Sequence, residues 1–146
     1  MNELGNKLTV ILADTYALYL KTQNYHWHVT GAQFKSLHDL FEAEYLALAE
    51  AIDDIAERIR TLGFKAPATF KEFDQLKTIA DGDSRLSANE MVVDLGNDHD
   101  VLVNDLNNTI VIAQDNKDEG TVAILSERIA AHEKSRWMLR ATSDNV

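Results

Sequence analysis

Residues 34–62 read FKSLHDLFEAEYLALAEAIDDIAERIRTL, and Gly63 follows. Apolar side chains return at every third or fourth position: Leu37, Phe41, Tyr45, Leu48, Ile52, Ile55, Ile59 and Leu62. A strand would alternate at every second position. The spacing therefore predicts one long helix from Phe34 to Leu62, stopped by Gly63. A second stripe runs along the same helix: His38, Glu42, Leu46, Ala49, Asp53 and Glu57. With His38 as origin and about 100° per residue, Glu42 falls at about 40°, Asp53 at about 60° and Glu57 at about 100°. The four share one face, turned about 100° away from Leu37 and the start of the apolar stripe.

With His26 just upstream, these residues form a set of imidazole and carboxylate donors. Such donors suit iron, manganese or zinc rather than copper(I). Along the axis His38 and Asp53 lie about 22 Å apart, whereas metal–ligand bonds are only about 2 Å long. One helix cannot bring both ends of the stripe to one ion. The stripe's own symmetry offers a way out. His38 with Glu57, Glu42 with Asp53, and Leu46 with Ala49 are all centred on the same point, between Ala47 and Leu48. Two copies crossing antiparallel about a two-fold axis put Leu46 and Ala49 at the centre. Each end then joins His38 and Glu42 of one chain to Asp53 and Glu57 of the other, the form of an isologous interface. Taken singly, such acids are ordinarily solvated and such a histidine is ordinarily half-buried. Only the shared symmetry sets them apart. Asp54, Glu44 and Glu50 lie off the stripe and read as surface or cavity acids.

The flanking sequence is also helical. Leu4, Leu8, Ile11, Thr15, Leu18 and Thr22 place a helix from about Leu4 to Val29, and Gly31 marks a short turn. The connector from Phe64 to Leu86 is too long to be structureless in a compact domain. Within it, Thr69–Gln75 predicts a short helix capped by Thr69. Ser87 and Glu90 form a capping box. They open a helix carrying Leu95, His99, Leu102, Leu106, Ile110 and Ala113, closed by the polar stretch Gln114–Gly120. A last helix spans about Thr121 to Ala141. The prediction is an all-α, four-helix bundle of ferritin-like type, with a short helix in the connection between helices two and three, in a single domain covering residues 1–146. Trp27 and Trp137 read as core aromatics, His28 as structural, and His99 and His132 as packing or solvent-facing.

Composition narrows the function. Acids number 24 against 14 Lys plus Arg, a net charge of −10, so cations are more natural partners than a bare duplex. There is no Cys, which excludes disulfides and thiolate metal sites. No signal peptide or membrane span is visible, and the cytoplasm is the expected location. The Glu-x-x-His pairs that build di-iron sites inside one bundle are absent.

His26-Trp27-His28-Val29-Thr30-Gly31, then Phe34, Leu37-His38 and Asp53-Asp54-Ile55-Ala56-Glu57-Arg58, resemble the Dps family, the starved-cell branch of the ferritins. His132-Glu133-Lys134-Ser135-Arg136-Trp137-Met138-Leu139 is similar to that family's last helix, and the likeness covers nearly the whole chain. The resemblance implies a hollow homo-dodecamer built from two-fold dimers, with a ferroxidase site at each two-fold interface. His26, His38 and Glu42 would come from one subunit, Asp53 and Glu57 from the other. It implies oxidation of Fe(II), often by hydrogen peroxide, and storage of ferric mineral; zinc suits the same donors. Glu42 departs from the pattern, since well-known members carry Asp there. The resemblance also gives Trp27 a role in taking up oxidising equivalents, and places Asp115, Asp118 and Glu119 where acidic pores occur; a solvated loop is the other reading of those acids. Many members bind DNA through a basic terminal tail. Here the chain ends Arg140-Ala-Thr-Ser-Asp-Asn-Val, so direct duplex binding and nucleoid association are not expected. A DNA-compacting protein with secondary iron oxidation is the competing function.

Overall fold

A computed structural model describes residues 2–143. Met1 and residues 144–146 lie outside the described residues, and with them the last residues on which the expectation against duplex binding rests. Every regular element among the described residues is a helix: α1 Glu3–His28, α2 Phe34–Thr61, α3 Phe70–Leu76, α4 Ala88–Asp115 and α5 Glu119–Thr142. No helix among them is long and apolar enough to cross a membrane.

The helix starts follow local chemistry. Asn2 caps α1 by accepting from the Gly5 N–H, Thr69 caps α3 through Glu72, and Ser87 with Glu90 closes the capping box of α4. Helix α5 begins two residues earlier than the sequence suggests. The reason is Asp118, whose carboxylate accepts from the Thr121 N–H and so makes Glu119 and Gly120 the first turn. Gly31 and Gly63 adopt φ of +107° and +95°, conformations that a side chain would strain; Gly31 lies in the α1–α2 turn and Gly63 just past the end of α2, as expected.

Helix α1 packs along α2, α4 packs along α5, α1 also meets α4, and the short α3 lies against α1. Two apolar clusters fill the bundle. One, around Leu18, Phe41, Leu48, Leu95, Leu102 and Leu139, sits near the α1–α2 turn. The other, around Leu8, Ile11, Ile55, Ile59, Leu106 and Leu125, fills the opposite end. The connection between α2 and α4 is fixed by Asp14, a fully buried carboxylate that accepts from Thr78 N–H, Thr78 O–H and Ile79 N–H at 2.6, 2.7 and 3.0 Å. Nothing in the hydrophobic pattern announces Asp14 as a tether.

The buried face of α2 is rotated slightly from the predicted stripe. Glu44 and Ala51 lie on it, whereas Tyr45, Ile52 and Leu62 are only half-buried. Two expectations are corrected. Glu44 is buried, not a surface or cavity acid, because it points into the bundle beside His99. Trp27 and Trp137 are 61% and 65% exposed, so neither is a core aromatic of this chain. Tyr25 and Leu139, near them in sequence, hold the inward positions.

Candidate metal centre

The tight turn at Gly31 makes α1 and α2 antiparallel neighbours. It sets the last turn of α1 against the second turn of α2. His26 and His38 meet there with their rings stacked, centroids 3.8 Å apart and planes 14° apart. The Nδ1 of His26 donates to the His38 carbonyl at 2.7 Å, and the Nδ1 of His38 donates to the His26 carbonyl at 2.8 Å. A carbonyl oxygen only accepts, so each Nδ1 carries a proton. In the neutral ring each Nε2 is then left with its lone pair. A metal-binding imidazole needs this tautomer, fixed from behind by a second partner. Packing holds both rings in place. Phe34 stacks on His38 at 5.1 Å, and Tyr45 meets His26 edge-on at 5.2 Å.

The carboxylates lie along the exposed face of α2. Glu42 is one turn beyond His38, and Asp53 and Glu57 follow further along, all exposed. The Glu57 carboxyl is pushed above the ordinary range, first by its hydrogen bond with Asp53 and then by that neighbour's charge. Two neighbouring carboxylates repel one another, and a cation placed between them relieves that repulsion. Between the two donor sets lies exposed Leu46, with Ala49 also open. Among the described residues no three His, Asp or Glu side chains of this chain gather closely enough to hold an ion. The structure therefore brings His26 and His38 into direct contact, leaves Glu42 one turn away, and keeps Asp53 with Glu57 as a separate pair.

The remaining candidates fall elsewhere. His28 is exposed and hydrogen-bonded to Asn24 of its own helix. Asp118 is engaged with Arg58 at 2.7 Å as well as with Thr121, and this lowers its carboxyl below the usual range against the opposing effect of burial. Asp115 and Glu119 are exposed.

A second histidine pair occupies the bundle interior. His99 and His132 are each 1% exposed, and their Nδ1 atoms are 2.9 Å apart. Arg128 donates to His132 Nε2 at 3.2 Å. That forces the His132 proton onto Nδ1, which donates to His99 Nδ1. The His99 proton then sits on Nε2, 3.8 Å from Glu44 Oε2. These histidines were expected to pack or to face solvent; both are buried, and only the α4–α5 contact reveals that they meet.

Comparison with known proteins agrees with this architecture. Residues 5–146 match the ferritin-like domain. The chain is 43% identical over 139 residues to an uncharacterised low temperature-induced protein of Nostoc, covering 93% of this chain and 77% of that one. It is 38% identical over 130 residues to DNA protection during starvation protein 2 of Bacillus anthracis, covering 89% of each. The crystal structure of the Vibrio cholerae Dps protein, described as a member of the ferritin-like diiron-carboxylate superfamily, superposes with a TM-score of 0.92 at 32% identity, covering 95% of this chain and 87% of that one. With the five-helix order, the crossover helix and these matches along nearly its full length, the chain belongs to the Dps family of ferritin-like proteins.

Proposed function

We propose that the chain is an iron-storing mini-ferritin whose oxidation sites form between two subunits. Two α2 helices would cross antiparallel with Leu46 and Ala49 at the centre. His26, His38 and Glu42 of one subunit would then face Asp53 and Glu57 of the other. Iron enters as substrate. The two Nε2 lone pairs and three carboxylates bind Fe(II), and ionised carboxylates favour the Fe(III) product by charge. Hydrogen peroxide is the oxidant, each molecule taking up two electrons from two ferrous ions. Six such dimers closing into a hollow dodecamer would hold the ferric mineral, in the cytoplasm.

The single observation that carries this reading is the reciprocal Nδ1–carbonyl pairing of His26 and His38, which turns two Nε2 lone pairs loose for a metal. The exposed stripe supports it. Exposed Leu46, flanked by ligand-type side chains at both ends of the stripe, is what a half-site looks like without its partner. The ferritin-like diiron-carboxylate description of the Vibrio cholerae relative points the same way. Zinc, with the same donor preferences, should compete for the site. The test is anaerobic loading with Fe(II) followed by peroxide, with ferric absorbance and native mass read on one sample. Rapid ferric formation in a dodecamer is the expected result. Peroxide that is not consumed beyond the rate of free Fe(II) would overturn the reading.

A further inference from the structure

His26 sits in the last turn of α1. Helix ends ordinarily fray, because their final carbonyls have no partner within the helix. The reciprocal bonds of His26 and His38 tolerate little fraying. Each ring bonds to the other residue's backbone, at 2.7 and 2.8 Å, so a shift of the turn breaks both bonds at once. The turn therefore needs an anchor outside the helix, and the contacts of the preceding residue supply one. Tyr25 is fully buried. Its hydroxyl donates to Asp94 of α4 at 2.5 Å and accepts from the Asp83 N–H at 3.2 Å. One turn earlier Lys21, only 3% exposed, pairs with the same Asp94 at 3.1 Å and with Asp98 at 2.8 Å. The crossover loop closes over this end of α1 at Gly82. A Cβ there would lie 3.1 Å from Lys21 Cγ, 3.1 Å from Tyr25 Cε1 and 3.2 Å from Asn24 Nδ2, so any side chain would push the loop or those groups back.

Holding α1 against α4 does not by itself ask for these groups. Leu18, Met91 and Leu95 belong to the same apolar cluster. Taking a lysine and aspartates out of water carries a desolvation penalty, and apolar residues of similar volume commonly stabilise a contact as well or better. A satisfied polar network supplies something apolar packing does not: directional bonds with fixed partners, and so a single register. Here the register belongs to the last two turns of α1, held by α4 on one side and by the loop on the other.

We propose that Tyr25 is a positioning residue for the metal centre, and that Lys21, Asp94 and the Gly82–Asp83 loop form with it a clasp that keeps His26 in ligand geometry. His38 needs no such aid, because it lies in the second turn of α2 with helix on both sides. The clasp thus governs one imidazole of the pair. It acts through the place of Tyr25 beside His26 in the chain, without touching the metal. A turn already held in place lets the metal bind without first ordering it, which is the gain in affinity that preorganisation gives. This inference rests on the metal-binding reading above.

The test uses the assembled protein and cobalt(II), a coloured probe that imidazole and carboxylate donors accept. Hydrogen exchange is read by mass spectrometry on the same variants. Tyr25→Phe keeps the ring and deletes both hydroxyl bonds. Exchange should quicken in residues 22–29 and stay as in wild type in α2 and α5. Cobalt(II) affinity should fall by about 10–100-fold, the range for groups that orient a metal ligand from behind. Gly82→Ala disturbs the clasp from the loop side and should move both readouts the same way by less; it decides the matter if Tyr25→Phe does not assemble. His132→Leu weakens the bundle interior elsewhere and should keep wild-type cobalt(II) affinity. Wild-type affinity in Tyr25→Phe would overturn the clasp, as would unchanged exchange in residues 22–29. Equal affinity losses in Tyr25→Phe and His132→Leu would also overturn it, because the loss would then follow general stability. Failure of the wild-type protein to bind cobalt(II) at all would instead overturn the metal centre itself.

Discussion

Two histidine pairs sit in this chain, one at the α1–α2 turn and one inside the bundle, and they are wired in opposite directions. In His26 and His38 each Nδ1 spends its proton on a backbone carbonyl, so both Nε2 atoms face outward as acceptors. In His99 and His132 the Arg128 guanidinium occupies one Nε2 and orients every proton toward Glu44. For His99 to offer a lone pair to a cation, both tautomers would have to reverse. His132 would then turn an N–H against Arg128. The difference lies in the partner behind each ring. A carbonyl behind a histidine prepares it for a metal, whereas a guanidinium behind it prevents that. The interior pair also joins α4 to α5, so its work is positional. On the proposed reading, a second chain completes the outer pair.

That contrast can be broken at its most sensitive point, the centre of the stripe. Ala49→Arg would place a charge without a partner at the two-fold contact, a penalty on the order of 3–5 kcal/mol. Native mass should fall to the monomer and iron oxidation should vanish with it, while circular dichroism keeps the helical signal of an intact bundle. An unchanged oligomer with full activity would show that this face is not the interface.

Next in size is the comparison of ligands. His38→Ala removes an imidazole from the outer pair, and iron oxidation should fall by about 100-fold or more, since even partners behind a ligand are worth 10–100-fold. His132→Leu, measured in the same assay, should leave oxidation close to wild type. Equal losses in both variants would erase the distinction between the pairs.

A smaller effect separates them in stability. His132→Leu leaves His99 Nδ1 buried without a partner, and the cost should be about 1–3 kcal/mol in urea unfolding at pH 8. A midpoint unchanged by the substitution would mean that the 2.9 Å contact does not hold the interior together.

The last effect is in pH. Burial first, then the neighbouring His99 and Arg128 charges, hold the His132 imidazole well below its ordinary range. The unfolded chain therefore binds a proton that the folded chain refuses. Stability contributed by the neutral ring is fully present above about pH 6.5 and is lost as pH falls below it, by at most about 1.4 kcal/mol per pH unit. His132→Leu should flatten that slope in unfolding measured between pH 7.5 and 5.5. Iron binding at the outer pair should weaken on acidification for a separate reason, because protons compete for the same Nε2 lone pairs, and His132→Leu should leave that loss in place.

Much of this was legible in the sequence because the signals are local. The helical spacing of Leu37 to Leu62, the Ser87–Glu90 capping box and the Gly31 turn each depend on residues a few positions apart, and each reappears in the structure. The palindrome of His38, Glu42, Asp53 and Glu57 was also visible, since it lies on one helix. What stayed hidden depends on contacts between helices. Glu44 looked like any off-stripe acid until α4 brought His99 beside it. Asp14 became a tether only when Thr78 arrived across 64 residues. Trp27 and Trp137 misled because aromatic character says that a ring wants burial, but not whether its own chain or another will supply it. The His26–His38 spacing suggested ligands, whereas the tautomer that readies them needed the backbone carbonyls of the turn.

Complementation in mixed shells tests the inter-subunit site most directly. One subunit carries His38→Ala with Glu42→Ala, the other Asp53→Ala with Glu57→Ala. Each parent assembly lacks half of every site and should oxidise iron at background. In a mixed dimer one end joins both intact halves, and the other end joins both broken ones. Random equal mixing should make about a quarter of all sites whole. Co-refolded shells, shown by native mass to contain both subunits within dimers, should therefore regain iron oxidation near that fraction of wild type. Background activity in such shells would contradict the account, because it would mean that the two ends of the stripe never meet.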